Sequence, residues 1–203
     1  MIRDTIIQYS NVHLGENLTL DAFLVLGKPP KGAQDGELET RIGDNSILRS
    51  HSVIYAGTII GADFQCGHQV TIREHTIIGD NVSVGTGTVV EHRVVIKNGV
   101  RLHSQVFVPE FSVLHEDCWL GPNVVVTNAK YPQSPEVKEN LQGAIIMARA
   151  KIGANSTLLP GITIGEDSLI GAGTTVVENV PPRTVVVGNP GRIIKTLDEL
   201  PYS

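Results

Sequence analysis

From Ile42 to Val126 an aliphatic residue or a cysteine falls at every sixth position: Ile42, Leu48, Ile54, Ile60, Cys66, Ile72, Ile78, Val84, Val90, Ile96, Leu102, Val108, Leu114, Leu120 and Val126. A helix repeats near 3.6 residues and a half-buried strand at 2, so neither period accounts for six. A parallel β-helix does. Each hexad supplies one short strand and a corner, and stacked coils bury one continuous core. A second inward position, four residues after the aliphatic one, is mostly small or β-branched, as at Ser46, Ser52, Thr58, Val70, Thr76 and Val82. Two inward positions per hexad predict a thin apolar core. Glycine often follows the aliphatic residue, at Gly43, Gly61, Gly67, Gly79, Gly85 and Gly121. This predicts tight corners whose backbone angles glycine tolerates.

The phase breaks twice. Leu14, Leu20 and Leu26 precede a segment rich in Pro, Gly and Lys, and the interval from Leu26 to Ile42 is not a multiple of six. A loop is expected over about 28–41. A second, over about 127–145, carries Asn128, Tyr131, Pro132 and Pro135; register resumes at Ile146 and holds through Ile152, Leu158, Ile164, Ile170 and Val176. Insertions into a repeat lattice lie on one face and often carry binding function. The chain thus reads as a single all-β domain over 1–203. A C-terminal cap is expected over about 188–203, with a short helical turn at 196–200 to cover exposed strand edges.

Composition agrees with a narrow coil. Charged residues make up 18% and aromatics 4%, with 21 glycines. A formal charge of −5 argues against bulk nucleic-acid binding. No stretch is long enough to span a bilayer. Met1 to Ser10 has no apolar run preceded by basic residues, so no signal peptide is expected. Cys66 and Cys118 read as buried thiols, neither a disulfide nor a metal pair, which suits a reducing, cytoplasmic compartment.

The hexads, the stretches Ile152-Gly153-Ala154-Asn155-Ser156 and Ile170-Gly171-Ala172-Gly173, and the ending Val187-Gly188-Asn189-Pro190-Gly191-Arg192 resemble the left-handed β-helix (hexapeptide-repeat) acyltransferases. The closer likeness is to acetyltransferases acting on amino groups of nucleotide-linked sugars. Leu120-Gly121-Pro122-Asn123, Thr127-Asn128 and the Tyr131-Pro132 loop are similar to one branch, which makes N-acetylated sugars for surface polysaccharide. Val90-Glu91-His92, Ile96, Val100, Leu102 and His103 are similar to another, in which the histidine matching His92 is the catalytic base. Arg93 stands where that branch commonly has an acidic residue. The resemblance implies a left-handed coil of three hexads per turn, acetyl-CoA as co-substrate, and a homotrimer with sites between subunits.

With three hexads per turn, residues eighteen apart stack. Glu74, His92, Glu110 and Asn128 then form one column, with Arg73 and Glu91 in the next. Amide formation from a thioester needs an amine freed of its proton and donors for the oxyanion. Imidazole titrates near neutral pH and suits the base, and a flanking carboxylate would fix its tautomer. His92 and Glu74 are therefore the catalytic candidates. Acceptor contacts are expected from Arg73, Glu91, His103, Glu110, Asn128, Lys130 and Tyr131. The small residues Gly153, Ala154, Gly171 and Ala172 would let a pantetheine arm lie along the backbone. Arg192 and Lys195 would meet the coenzyme's phosphates, and Asn189 and Pro190 shape its adenine end. His13, His51, His75 and His115 read as surface.

Three other readings share the coil: transfer to a hydroxyl, a non-catalytic scaffold, and a zinc hydratase. The last needs three converging histidines, and the spacing of His68, His75, His92, His103 and His115 supplies no close pair. No metal site is expected.

Overall fold

The computed structural model describes residues 5–200; the first four residues and 201–203, the end of the expected cap, lie outside it. Strands of two or three residues build nearly the whole chain into a solenoid with three faces. Face A has nine strands, from Ile7–Gln8 to Thr175–Val176, and face B eight, from Val12–Leu14 to Thr163–Ile164. Face C has ten, beginning at Thr19–Leu20. Ile72 pairs with Val90, Ile78 with Ile96 and Val84 with Leu102, all in parallel. One coil is therefore three hexads. The fold is the left-handed parallel β-helix.

Both inward positions of the hexad are buried, and they form one cluster running from Leu24 to Val186. Most hydroxyls on the second position are satisfied inside that core; those of Thr40 and Thr174 are buried without a partner. Thr58 Oγ1 donates to the carbonyl of Arg73 (3.1 Å), Thr76 Oγ1 to that of Glu91 (3.0 Å) and Thr88 Oγ1 to that of His103 (2.9 Å). A serine or threonine here fills a small space and ties down a corner carbonyl that would otherwise be unpaired.

The corner glycines have a different reason from the one expected. Gly43, Gly61, Gly67, Gly79, Gly85 and Gly121 do not adopt positive φ. A Cβ on Gly43 would lie 2.4 Å from Gly61 C, and one on Gly85 2.4 Å from His103 C. Coils approach too closely at this position for any side chain. The left-handed angles fall two residues later, at Asn45, Asp63, Gln69, Asn81 and Asn123 among others. Asn and Asp reach that region at lower cost than most side chains.

Leu14 pairs with Ile42 and Leu114 with Ile146, ten and fourteen residues beyond the eighteen-residue register. Both surpluses leave the corner between faces A and B. Strand Val25–Lys28 passes to Thr40–Ile42 through one, and Val125–Val126 to Ile145–Ile146 through the other. At the C-terminal end, Thr184–Val187 adds to face C in parallel and Arg192–Thr196 turns back antiparallel. The expected helical turn is a 3-10 turn over Leu197–Glu199, with Leu197 buried and its N–H on the Arg183 carbonyl (2.8 Å).

Candidate functional site

The A–B corner gathers the titratable groups. Strands that end at Ile72, Val90 and Val108 turn there, so Glu74, His92 and Glu110 rise one above another, and Asn128 opens the long loop. The Nε2 of His92 is in close contact with Glu110 Oε1, and Asn128 Nδ2 donates to Glu110 Oε2 (3.4 Å). Glu91 Oε2 stands 3.7 Å from His92 Nδ1. That nitrogen is sealed from solvent and has no hydrogen-bond partner, although the side chain as a whole is 23% exposed. An acceptor can thus reach the imidazole only along its other edge, where Nε2 meets Glu110.

The expected column forms, but its carboxylates divide differently. Glu110 takes the ring, whereas Glu74 turns to Arg73. Arg73 Nε and Nη2 each donate to a Glu74 oxygen at 2.8 Å, and Nη1 donates to Glu91 Oε2 at 3.2 Å. Such a planar fork is well matched to a carboxylate. Burial pushes the Glu74 carboxyl up, but the Arg73 fork, with the charges of Arg73 and His92, outweighs it and holds the group below its ordinary value. Arg73 is raised in return, chiefly by its bonds to Glu74.

Sequence reasoning missed Tyr55. Its ring lies under the Arg73 guanidinium, 4.9 Å from centroid to Cζ, with Lys28 Nζ at 5.5 Å. Tyr55 stands eighteen residues before Arg73, so the same count that found Arg73 and Glu91 would have found it. Thr58 and Thr76, expected only as small inward residues, also hold the carbonyls of Arg73 and Glu91 through their hydroxyls.

Lys130 and Tyr131 lie on the long loop, exposed, with Lys130 Nζ 5.6 Å from the Tyr131 ring. They line a cavity of about 320 Å³ with Ser134, Val137, Asn140, Gln142 and Pro160. Gln142 N–H donates to the Asn128 carbonyl (2.9 Å), tying the far end of the loop back to the site corner. His103 is elsewhere. It sits at the corner between faces C and A, edge-on to Trp119 (4.7 Å), and lines a groove with His68. Of the other histidines, His13 contacts Asn11, His51 packs on Phe23, and His115 lies 3.7 Å from Glu116. Among the described residues, no three His, Cys, Asp or Glu converge on a metal position.

Gly153 and Ala154, and Gly171 and Ala172, occupy the same C–A corner as His103, two and three coils beyond the coil of His92. At the corresponding place in other coils a side chain from the next coil accepts the outward N–H: Asp80 for Ala62 (2.8 Å), Thr86 for His68 (3.3 Å). Alanine offers no such acceptor, so the Ala154 amide faces outward beneath Ala172. Asn189 and Pro190, joined by a cis peptide, form the turn of the terminal hairpin, and Arg192 and Lys195 lie on its last strand. Within one chain the structure does not bring this group to His92; it faces a different corner.

The model of the bacterial transferase hexapeptide (six repeats) matches residues 143–177, and that of the hexapeptide repeat of succinyl-transferase matches 69–103. Two stretches of the chain thus match hexapeptide-repeat models, and the coil they lie on has the left-handed β-helix fold. A 2,3,4,5-tetrahydropyridine-2,6-dicarboxylate N-acetyltransferase of Clostridium perfringens is 41% identical over 80 residues, 39% of this chain and 31% of that protein. The enzyme of the same name from Brevibacillus brevis is 35% identical over 82 residues, 40% and 32% of the two chains. This chain therefore matches about a third of the length of those relatives. The solved UDP-N-acetylglucosamine acyltransferase of Bacteroides fragilis superposes over 100% of this chain and 79% of its own, with a TM-score of 0.62 and 17% identity, a likeness of fold.

Proposed function

We propose that the protein is an acetyl-CoA-dependent acetyltransferase whose acceptor is the amino group of a nucleotide-linked sugar. One observation carries the reading. A partly exposed imidazole, bound by a carboxylate, stands at the corner from which the long loop leaves. The repeat family and the N-acetyltransferase relatives support the reaction class. Glu110 meets the acceptor as an ammonium ion, and His92 Nε2 takes its proton. The freed nitrogen attacks the thioester carbonyl carbon, the C–S bond breaks, His92 returns the proton to the departing sulfur, and the nitrogen's second proton passes to solvent. A general base of this kind contributes about two to four orders of magnitude.

The C–A corner suits the pantetheine arm. Ala154 and Ala172 keep the corner clear, and a Cβ on Gly173 would meet nothing within 4 Å. Lys130 and Tyr131, on the loop, are suited to the nucleotide and its phosphates, and Asn128 to a sugar hydroxyl.

Because these groups face different corners, the working enzyme is a homotrimer with each site between subunits. Apolar outer faces flank the His92 corner on both sides: Ile59, Ile77, Val95, Val113 and Ile145 on face B, Val89, Phe107 and Val125 on face A. Ile77 is 53% exposed and Ile145 40% in the single chain. Two free, buried thiols fit a reducing cytoplasm. No helix among the described residues is long and apolar enough to cross a membrane.

The test is thiol release from acetyl-CoA with nucleotide-linked 3-amino and 4-amino sugars, beside sugar alcohols. Release with one amino sugar is expected. Release only with alcohols would move the reaction to a hydroxyl, and silence with no coenzyme binding would leave a scaffold.

A further inference from the structure

One oxygen at the A–B corner serves two donors unequally. Glu91 Oε2 lies 3.2 Å from Arg73 Nη1 and 3.7 Å from His92 Nδ1. The first is a hydrogen bond; the second is too long for one. Nδ1 is buried without a partner, a costly state for a polar atom that can act as a donor. In the neutral ring with its proton on Nε2, donated to Glu110, Nδ1 presents a lone pair that repels a carboxylate. Glu91 accordingly leans to Arg73.

Arg73 does not depend on Glu91 for its place. Its Nε and Nη2 are forked onto Glu74 at 2.8 Å each, its guanidinium lies over Tyr55, and its carbonyl is held by Thr58. The Glu91 carbonyl is likewise held by Thr76 (3.0 Å). The two backbones are fixed, and the Glu91 side chain is the part with two possible partners.

We propose that Glu91 is a positioning residue that passes from Arg73 to His92 Nδ1 when the ring carries a proton there. A movement below ~1 Å closes the gap to hydrogen-bond range. Resting on the reading of His92 as the base, the handover makes Nε2 the proton-accepting nitrogen: Glu91 holds Nδ1–H, and the exposed edge is freed for the acceptor. Arg73 sets the reach of Glu91 by holding it in reserve, and Tyr55 acts through Arg73. The charged groups around the ring are Glu91 and Glu110 in contact, Glu74 through its field, and Arg73 behind Glu91. Arg93, next in the chain, is turned away over Phe111.

The experiment is ¹⁵N NMR of the histidine rings in the free, full-length protein across a pH series, in wild type, Glu91→Gln and Arg73→Lys. In wild type, acidification should bring up a hydrogen-bonded, slowly exchanging Nδ1 proton on His92. Glu91→Gln keeps the Arg73–Glu74 fork, so it should fold, yet lose the slow exchange at Nδ1 while Nε2–H stays on Glu110. Arg73→Lys keeps the charge but cannot fork Glu74 and hold Glu91 together, and should shift the neutral ring towards Nδ1–H. Identical Nδ1 exchange in wild type and Glu91→Gln, or an unchanged tautomer in Arg73→Lys, would overturn the proposal. With an acceptor in hand, Glu91→Gln should lower kcat about tenfold or more at unchanged KM, the worth of one charge-assisted hydrogen bond. Should wild type transfer no acetyl group at all, the acetyltransferase reading falls, and the ring spectra still decide the handover.

Discussion

Two corners of the coil place polar side chains at the same point of the hexad and use them in opposite ways. At the B–C corner Asp44, Asp80 and Asn98 close on the backbone of the coil before them. Asp44 Oδ1 accepts from Glu16 N–H (2.7 Å), Asp80 Oδ1 from Ala62 N–H (2.8 Å), and Asn98 Oδ1 from Asp80 N–H (2.9 Å). At the A–B corner Glu74, His92, Glu110 and Asn128 hold the same position, but bond to side chains instead. The first column spends its acceptors on orphaned amides and rigidifies the solenoid. The second leaves a nitrogen unpaired and three carboxylates, Glu74, Glu91 and Glu110, around one guanidinium and one imidazole. Position in the repeat therefore does not distinguish a ladder tied to backbone from one tied to side chains. Where the hydrogen bonds end does.

Breaking the second column should cost activity and little stability, and breaking the first the reverse. The largest effect is expected from His92→Ala, a fall in turnover of about two to four orders of magnitude with a nearly unchanged melting temperature. An unchanged thiol-release rate would mean the acceptor arrives deprotonated and positioning does the work. Glu110→Gln should come next, with turnover down about tenfold or more, since the ring loses its charged partner. Asp80→Ala is the mirror experiment. It uncaps the Ala62 amide and should cost about 1 kcal/mol in urea unfolding while acetyl transfer stays at the wild-type rate. If Asp80→Ala impaired catalysis as much as Glu110→Gln, the contrast between the corners would fail.

The smallest effect is a matter of acid. Glu74 is held below its ordinary value of 4.5, so its contribution is complete above that value and is lost as pH falls through the folded-state pKa. Wild-type stability should therefore fall more steeply than that of Glu74→Gln on the acid side of 4.5. Parallel curves would show that the Arg73 fork adds nothing to folding.

Much of the architecture was legible because the period is strict. Six-residue spacing names a β-helix without help, but its hand is not in the spacing and came through likeness to known coils. The glycines were found for the wrong reason. A sequence shows that Gly43 sits at a corner but not that the Gly61 backbone stands where its Cβ would be. Within the site, counting by eighteen stacked Glu74, His92 and Glu110 in advance. It could not choose rotamers, and so could not say that Glu74 would prefer the guanidinium beside it to the imidazole one coil above. Nor did counting by eighteen carry across the loop over 127–145, so it did not place Ala154 and Ala172 on a different corner from His92.

Height itself has a consequence. The long loop leaves its corner one coil beyond Glu110 and two beyond His92. Because every coil rises by one strand spacing, the loop's elevation over His92 is quantised in steps of about 4.8 Å. A gene that gains eighteen residues between Glu110 and Asn128 shifts the loop by one such step and leaves the core unaltered. On a solenoid, acceptor size can be retuned by duplication alone, as a peg is moved along a row of holes.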